Sequence, residues 1–161
     1  MDQTHLHLLI THLPIYGSIL GGFVLAYGLW TRSAHTMISA YLLLLISALG
    51  AGIAYSTGEA AEETVERIQG VAENMIEQHE DFAIYALWGL IIVGAASIIG
   101  ILFSWRKWSG ARSVGFVLLF LALVSFGLVA YTGYLGGQIR HTEISGSTPT
   151  SQPTDIYEHE D

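Results

Sequence analysis

The sequence has no cysteine and few charged residues, and both shortages restrict its chemistry. None of its 161 residues is Cys, and only 12% are Asp, Glu, Lys or Arg. Without thiols the chain cannot form disulfides, thiolate metal sites, iron–sulfur clusters or the covalent haem attachment of a C-x-x-C-H motif. With 6 Lys and Arg against 14 Asp and Glu, it also lacks the basic surface that a nucleic-acid backbone requires. Site chemistry is therefore expected from imidazoles, carboxylates and hydroxyls.

Apolar residues are abundant and are arranged in long stretches. They make up 52% of the chain, and the mean hydropathy is +0.49. A helix needs about 20 mostly apolar residues to span a bilayer. Four stretches without central charges meet this requirement, at about 6–30, 36–55, 82–105 and 113–135. We therefore expect an all-α, polytopic membrane protein in which residues 1–143 form an up-down bundle of four transmembrane helices within the lipid bilayer.

The positions of the basic residues predict how this bundle is oriented. Four of the 6 Lys and Arg follow the first or the third span: Arg32, Arg106, Lys107 and Arg112. Arg67 and Arg140 lie on the other side of the predicted spans. Since cytoplasmic loops carry an excess of Lys and Arg, both termini are expected on the outer, periplasmic side.

Two segments outside the spans have distinct compositions. Residues 58–81 are rich in Glu, and apolar positions recur among them at three- and four-residue steps, which predicts an acidic helix on the outer surface that leads into the third span. Thr57 could act as the N-terminal cap of that helix. Residues 144–161 are rich in Ser, Thr and Pro, with acidic residues at the end, and are expected to form a flexible tail.

Histidines from distant parts of the sequence collect at the predicted outer end. Five of the 7 belong to this group: His5, His7, His12, His79 and His141. Glu59, Glu62 and Glu63 are expected at the same level. An interfacial histidine can simply reach water, which is the simpler interpretation for His5. His12 lies inside the first apolar stretch, where a polar side chain should face a partner or a cavity.

Backbone irregularity is also expected near these histidines. Pro14 either bends the first transmembrane helix or marks its first turn, with residues 5–13 as a lead-in. Gly136 and Gly137 would let the chain leave the fourth helix and bring His141 over the end of the bundle.

The first of these segments resembles a known family. The run His7-Leu-Leu-Ile-Thr-His12-Leu-Pro14-Ile is similar to the H-x-x-x-x-H-[FL]-P-I opening of small four-helix bacterial membrane proteins, the domain of unknown function 2231. His79-Glu80 is similar to the third-helix signature of that family, and Gly136-Gly137-Gln-Ile-Arg-His141 to the end of its fourth helix. The resemblance covers about residues 5 to 143. Leu8 follows His7 where the family often has proline, so the resemblance is weakest for His7.

The resemblance implies membrane electron transfer, because relatives are fused to Rieske or cytochrome c-like domains. It places the protein in the bacterial inner membrane and makes four residues candidate ligands of b-type haem: His7, His12, His79 and His141. The first and third helices of an up-down bundle lie diagonally opposite each other. We therefore expect His12 and His79 to hold one haem near the periplasmic face.

The remaining residues of the group have secondary roles in this interpretation. His7 and His141 would hold a second haem or assist the first one through its propionates, with which Arg140 or Arg67 could pair. Electrons would be exchanged with a periplasmic cytochrome, another redox subunit or a quinol, and the acidic outer surface would attract a basic partner. The sequence also allows the protein to form a homo-oligomer.

Two other functions fit the same sequence. His12, His79 and His141 could form a zinc, copper or iron site with Glu59, Glu62 or Glu63, and such a site could leave a coordination position open for catalysis. Alternatively, the bundle is a cofactor-free anchor subunit of a respiratory or photosynthetic complex. The sequence has no H-E-x-x-H motif, phosphate loop or dinucleotide fingerprint, which favours an electron carrier or subunit over a stand-alone enzyme.

Overall fold

The computed structural model of the protein describes residues 3–65 and 73–140, and all its regular structure there is helical. The helices are α1 (Gln3–Ile10), α2 (His12–Thr31), α3 (Ala34–Val65), α4 (Glu73–Trp105) and α5 (Ala111–Arg140). Four segments are long and apolar enough to cross a membrane: His5–Thr31, Ala34–Gly58, Asn74–Trp105 and Ala111–Gln138. The expected all-α chain with four candidate spans is thus confirmed, and the first span comprises α1 and α2 together.

The four long helices form a closed bundle. Helix α3 packs against α2 and α4, and α5 packs against α4 and α2, so α2 and α4 lie on one diagonal of the bundle. Short connections after α2 and α4 reverse the chain, so consecutive helices run antiparallel. We call the end with these two connections the loop end (residues 32–33 and 106–110). The opposite end, where α2 and α4 begin, is the histidine end (His7, His12 and His79).

Small residues bring the helices close together. The most severe contact concerns Gly94 of α4, where an added Cβ would lie 2.7 Å from the Cβ of Ala48 in α3. An added Cβ at Gly17 of α2 would likewise lie 2.9 Å from the Cβ of Ser47. Such small residues allow close approach of transmembrane helices, whose association is driven by van der Waals packing and hydrogen bonds rather than by release of water.

Pro14 lies in the first turn of α2, and Thr11 separates that helix from α1. Proline has no N–H to donate to the carbonyl of Ile10, so the break occurs where a helical hydrogen bond is already missing. The carbonyl oxygen of Pro14 accepts hydrogen bonds from Ser18 Oγ at 2.6 Å and from Ser47 Oγ at 3.1 Å. Pro14 therefore marks a first turn that is tied to α3, and α1 is the lead-in.

The described parts of the acidic segment do not form a separate surface helix. Residues 58–65 continue α3, and residues 73–81 belong to α4. Thr57 is not a cap of a new helix, because its hydroxyl donates back to the carbonyls of Ile53 and Ala54 within α3, each at 3.0 Å. The strong helix-forming residues Ala and Glu after Gly58 allow the membrane helix to continue beyond its apolar part.

Candidate histidine site

The histidine end holds four of the histidines that the structure describes. His5 and His7 lie in α1, His12 begins α2, and His79 lies in the second turn of α4. His35 lies near the start of α3, at the loop end. His141 and the tail residue His159 lie outside the described residues.

His7 links the lead-in helix to α3. Its Nδ1 lies 2.9 Å from the carbonyl oxygen of Ala54 and 3.2 Å from Oγ1 of Thr57. An added Cβ at Gly58 would lie 3.5 Å from Cε1 of the ring, so the imidazole lies against the backbone of α3. The ring is partly buried. Its position therefore depends on a helix that is distant in sequence.

His79 occupies a comparable position between α4 and α5. Its Nδ1 lies 3.0 Å from the carbonyl oxygen of Thr132, and the side chain is partly buried. An added Cβ at Gly136 would lie 3.0 Å from Cε1 and 3.2 Å from Nδ1 of the ring. Gly136 thus provides the space in which the imidazole packs. The expected break at Gly136 and Gly137 is wrong, because α5 continues through both residues to Arg140.

His12 has a different environment. Its side chain is exposed, and its Nδ1 lies 2.7 Å from the carbonyl oxygen of Leu8, one turn earlier. The ring stacks on Tyr16, with centroids 6.0 Å apart and an interplanar angle of 22°. Since both partners precede or follow it on the same stretch of chain, local structure alone orients this imidazole.

The three rings share one hydrogen-bonding feature. In each, Nδ1 lies within hydrogen-bond distance of a backbone carbonyl oxygen. A carbonyl can only accept, so Nδ1 carries the proton and Nε2 is the unprotonated nitrogen of the neutral ring. Metal-ligating histidines generally have this arrangement, because the carbonyl fixes both the tautomer and the orientation of the ring.

Contacts between the helices show which residues of α2 and α4 lie at the same position along the bundle axis. Gly17 of α2 is in contact with Ser47 of α3, and Gly94 of α4 is in contact with Ala48, the next residue of α3. Gly17 and Gly94 therefore lie at nearly the same level of the bundle.

From that level, a helical rise of about 1.5 Å per residue gives the height of each ring-bearing residue. His12 lies about 7 Å, His7 about 15 Å and His79 about 22 Å nearer to the histidine end. The backbone positions of His7 and His79 thus differ by about 7 Å along the bundle axis, and those of His12 and His79 by about 15 Å. Of these two possible partners, His7 is therefore closer in height to His79 than His12 is.

The alternative zinc, copper or iron site would include glutamates that the structure describes only in part. Within residues 3–65 and 73–140, no group of three or more His, Asp or Glu side chains could hold a metal ion. Glu59, Glu62 and Glu63 lie in the last turns of α3, and Arg140 ends α5, but their side chains lie outside the described part of the structure.

Sequence reasoning missed the residues that hold the imidazoles. They are Ala54, Thr57 and Thr132, which provide the acceptor atoms, and Gly58 and Gly136, which provide the space. Backbone carbonyls have no sequence signal of their own. The glycines were visible, but small residues are common throughout the spans and their individual contacts cannot be read from spacing.

Comparison with known proteins adds no assignment to this site. No protein-family model, curated protein or solved structure matches the chain.

Proposed function

We propose that the protein is a membrane-embedded electron carrier that holds b-type haem by bis-histidine ligation at the histidine end, near the periplasmic face. The observation that carries the proposal is the set of three imidazoles whose Nδ1 atoms are held by backbone carbonyls. In the neutral ring this hydrogen bond leaves Nε2 as the unprotonated nitrogen, which is the atom that binds iron. The resemblance of residues 7–15 to the domain of unknown function 2231 supports the same proposal.

The donor set fits a haem. His79 together with His7 or His12 would hold the haem, which would supply one-electron transfer. Haem needs only two protein ligands, and imidazoles that are each anchored by a backbone carbonyl could provide them. An imidazole pair is also neutral, so it can be accommodated beside apolar helices without a buried charge.

We propose His79 and His7 as the first ligand pair to test. Both side chains are partly buried, that of His7 against α3 and that of His79 against α5, and the two residues are closer in height than His79 and His12. His12 is the second candidate partner of His79. His141 and Arg140 stay candidates for a further ligand and for pairing with a propionate.

The other residues of this end have supporting roles in the proposal. Thr57 and the carbonyls of Ala54 and Thr132 hold the rings in one orientation, and the apolar helices exclude water from the bundle. Exposed Glu77, Glu80 and Asp81 give the start of α4 a negative charge. This charge would accelerate association with a basic periplasmic redox protein, whereas a quinol would arrive through the bilayer.

The decisive experiment is a visible spectrum of the full chain, purified in detergent from cells that synthesise haem and recorded before and after dithionite. We expect a sharp Soret shift and an α band, with haem content quantified per chain. His79→Ala and His7→Ala should each remove most of the haem. His35→Ala is the matched control, since it removes an exposed imidazole at the loop end and should leave the haem content unchanged.

The results separate the alternatives. If His7→Ala retains haem and His12→Ala loses it, His12 is the partner of His79. A colourless protein that contains stoichiometric zinc or copper would support the metal site instead. A protein that stays colourless and metal-free even after incubation with hemin would contradict the proposal and leave the anchor interpretation.

A further inference from the structure

Two helices end at the loop end with the same backbone feature. Arg32 follows α2 and has φ 54°, and Lys107 follows α4 and has φ 53°. In residues 3–65 and 73–140, these two are the non-glycine residues with positive φ. The left-handed conformation is unfavourable for a residue with a Cβ, so both positions carry local strain.

The positive φ values belong to hydrogen-bonded turns that end the two helices. After α4, the N–H of Trp108 donates to the carbonyl of Phe103 at 3.0 Å, and that of Lys107 donates to Ser104 at 3.3 Å. The rings of Phe103 and Trp108 pack edge to face with centroids 4.8 Å apart. This is the Schellman motif with its usual apolar contact, and Lys107 occupies the position that glycine most often fills.

Helix α2 ends with a similar left-handed turn. The N–H groups of Arg32 and Ser33 both donate to the carbonyl of Gly28, the latter at 3.0 Å. The sequence contains 18 glycines, yet both left-handed positions carry a cation instead. A cation beside a helix C-terminus interacts favourably with the helix dipole, which offsets part of the strain.

The surroundings of these cations indicate what else they can bind. Arg32, Arg106 and Lys107 are exposed, and Arg112 lies over the ring of Phe116 at 5.6 Å. All the carboxylates in the described part of the chain lie in residues 59–63 and 73–81, at the opposite end of the bundle. The loop end is thus a positive surface without a described acidic partner.

Indole rings border this positive surface. Trp30 is 80% exposed and Trp105 is 71% exposed, and each is at the end of an apolar helix. Tryptophan in that position favours the headgroup layer of a bilayer. A ligand that meets both the cations and these rings must combine an anionic group with an adjoining apolar chain.

We propose that the loop end is a binding site for anionic phospholipid headgroups, with Arg32 and Lys107 as the principal contacts to the phosphate. Arg32 and Lys107 lie at the ends of α2 and α4, where the headgroups of surrounding lipids would lie. Trp30 and Trp105 contact the glycerol and upper acyl region of the same lipids. The proposal does not depend on the cofactor proposed for the histidine end.

The test compares Arg32→Asn/Lys107→Asn with the unaltered full chain. Asparagine tolerates the left-handed conformation better than most side chains, so the variant removes the charges without disrupting the helix ends. Arg32→Lys/Lys107→Arg is the matched control, because it exchanges the two side chains and keeps both charges. Native mass spectrometry of detergent-solubilised protein, titrated with phosphatidylglycerol or phosphatidylcholine, measures retained lipid.

We expect the unaltered chain and the control to prefer phosphatidylglycerol. The Asn variant should bind it about 30-fold more weakly, since each basic residue near an anionic lipid surface contributes about 5-fold. Each single Asn variant should lose about 5-fold, which keeps the test valid if the double variant folds poorly. Equal binding of phosphatidylglycerol by the double Asn variant and the unaltered chain would overturn the proposal. So would equal binding of the two lipids, or complete displacement of phosphatidylglycerol by millimolar inorganic phosphate.

Discussion

The contact between Gly94 and Ala48 makes a quantitative prediction about how α3 and α4 pack. In Gly94→Ala, the new methyl group would lie 2.7 Å from the Cβ of Ala48. Carbon atoms in favourable contact are about 3.5–4.0 Å apart, so the two groups would have to separate by about 1 Å. Neither methyl group can rotate away, because each is attached directly to a helix backbone. The helices themselves must therefore move apart.

The expected cost follows from two opposing effects. Overpacking a well-packed core typically costs about 1–3 kcal/mol, whereas Gly→Ala within a helix gains about 0.5–1 kcal/mol. Gly127→Ala provides the matched control, since it lies in α5 and an added Cβ there meets nothing within 4 Å. The helix-propensity gain is common to both variants and cancels in the comparison. Gly94→Ala should therefore be less stable than Gly127→Ala by about 1–3 kcal/mol.

The assay is reversible unfolding in mixed micelles of dodecyl maltoside and SDS, followed by far-ultraviolet circular dichroism. The double variant Ala48→Gly/Gly94→Ala transfers the methyl group from one helix to the other and should recover most of the lost stability. Equal stability of Gly94→Ala and Gly127→Ala would refute the close approach of α3 and α4. A double variant less stable than Gly94→Ala alone would refute the assignment of the clash to Ala48.

Two further predictions concern the core and the orientation. The buried hydroxyl groups of Tyr41 and Ser104 have no hydrogen-bond partner in the described part of the protein except each other. Tyr41→Phe alone would leave the hydroxyl of Ser104 buried and unpaired, so it should destabilise the bundle by about 1 kcal/mol in the same unfolding assay, whereas Tyr41→Phe/Ser104→Ala should recover that loss. A single variant as stable as the unaltered chain would contradict the pairing. Because the chain has no cysteine, single cysteines can report its orientation without background. Gln78→Cys should react with a membrane-impermeant maleimide on intact cells and Ser109→Cys only after permeabilisation, and the reverse pattern would invert the predicted topology.

The sequence predicted the membrane helices well because their signal is local. A long apolar stretch has a favourable transfer free energy into a bilayer whatever its neighbours are, and four such stretches became four candidate spans. The up-down order of the helices then brought His7, His12 and His79 to one end, as expected. The helix ends were predicted less well. α3 extends past Thr57 to Val65, and α5 continues through Gly136, because glycine and threonine are tolerated within helices whose other residues pack well.

The composition along the chain determined the class of the protein, the number of spans and the end at which the histidines gather, since each depends on residues close together in sequence. The tertiary structure decided which groups each imidazole meets. The bond from His7 to Ala54 joins residues 47 positions apart, and that from His79 to Thr132 joins residues 53 positions apart. Backbone carbonyls are present at every residue, so only the packing of α1 on α3 and of α4 on α5 selects the ones that orient these rings.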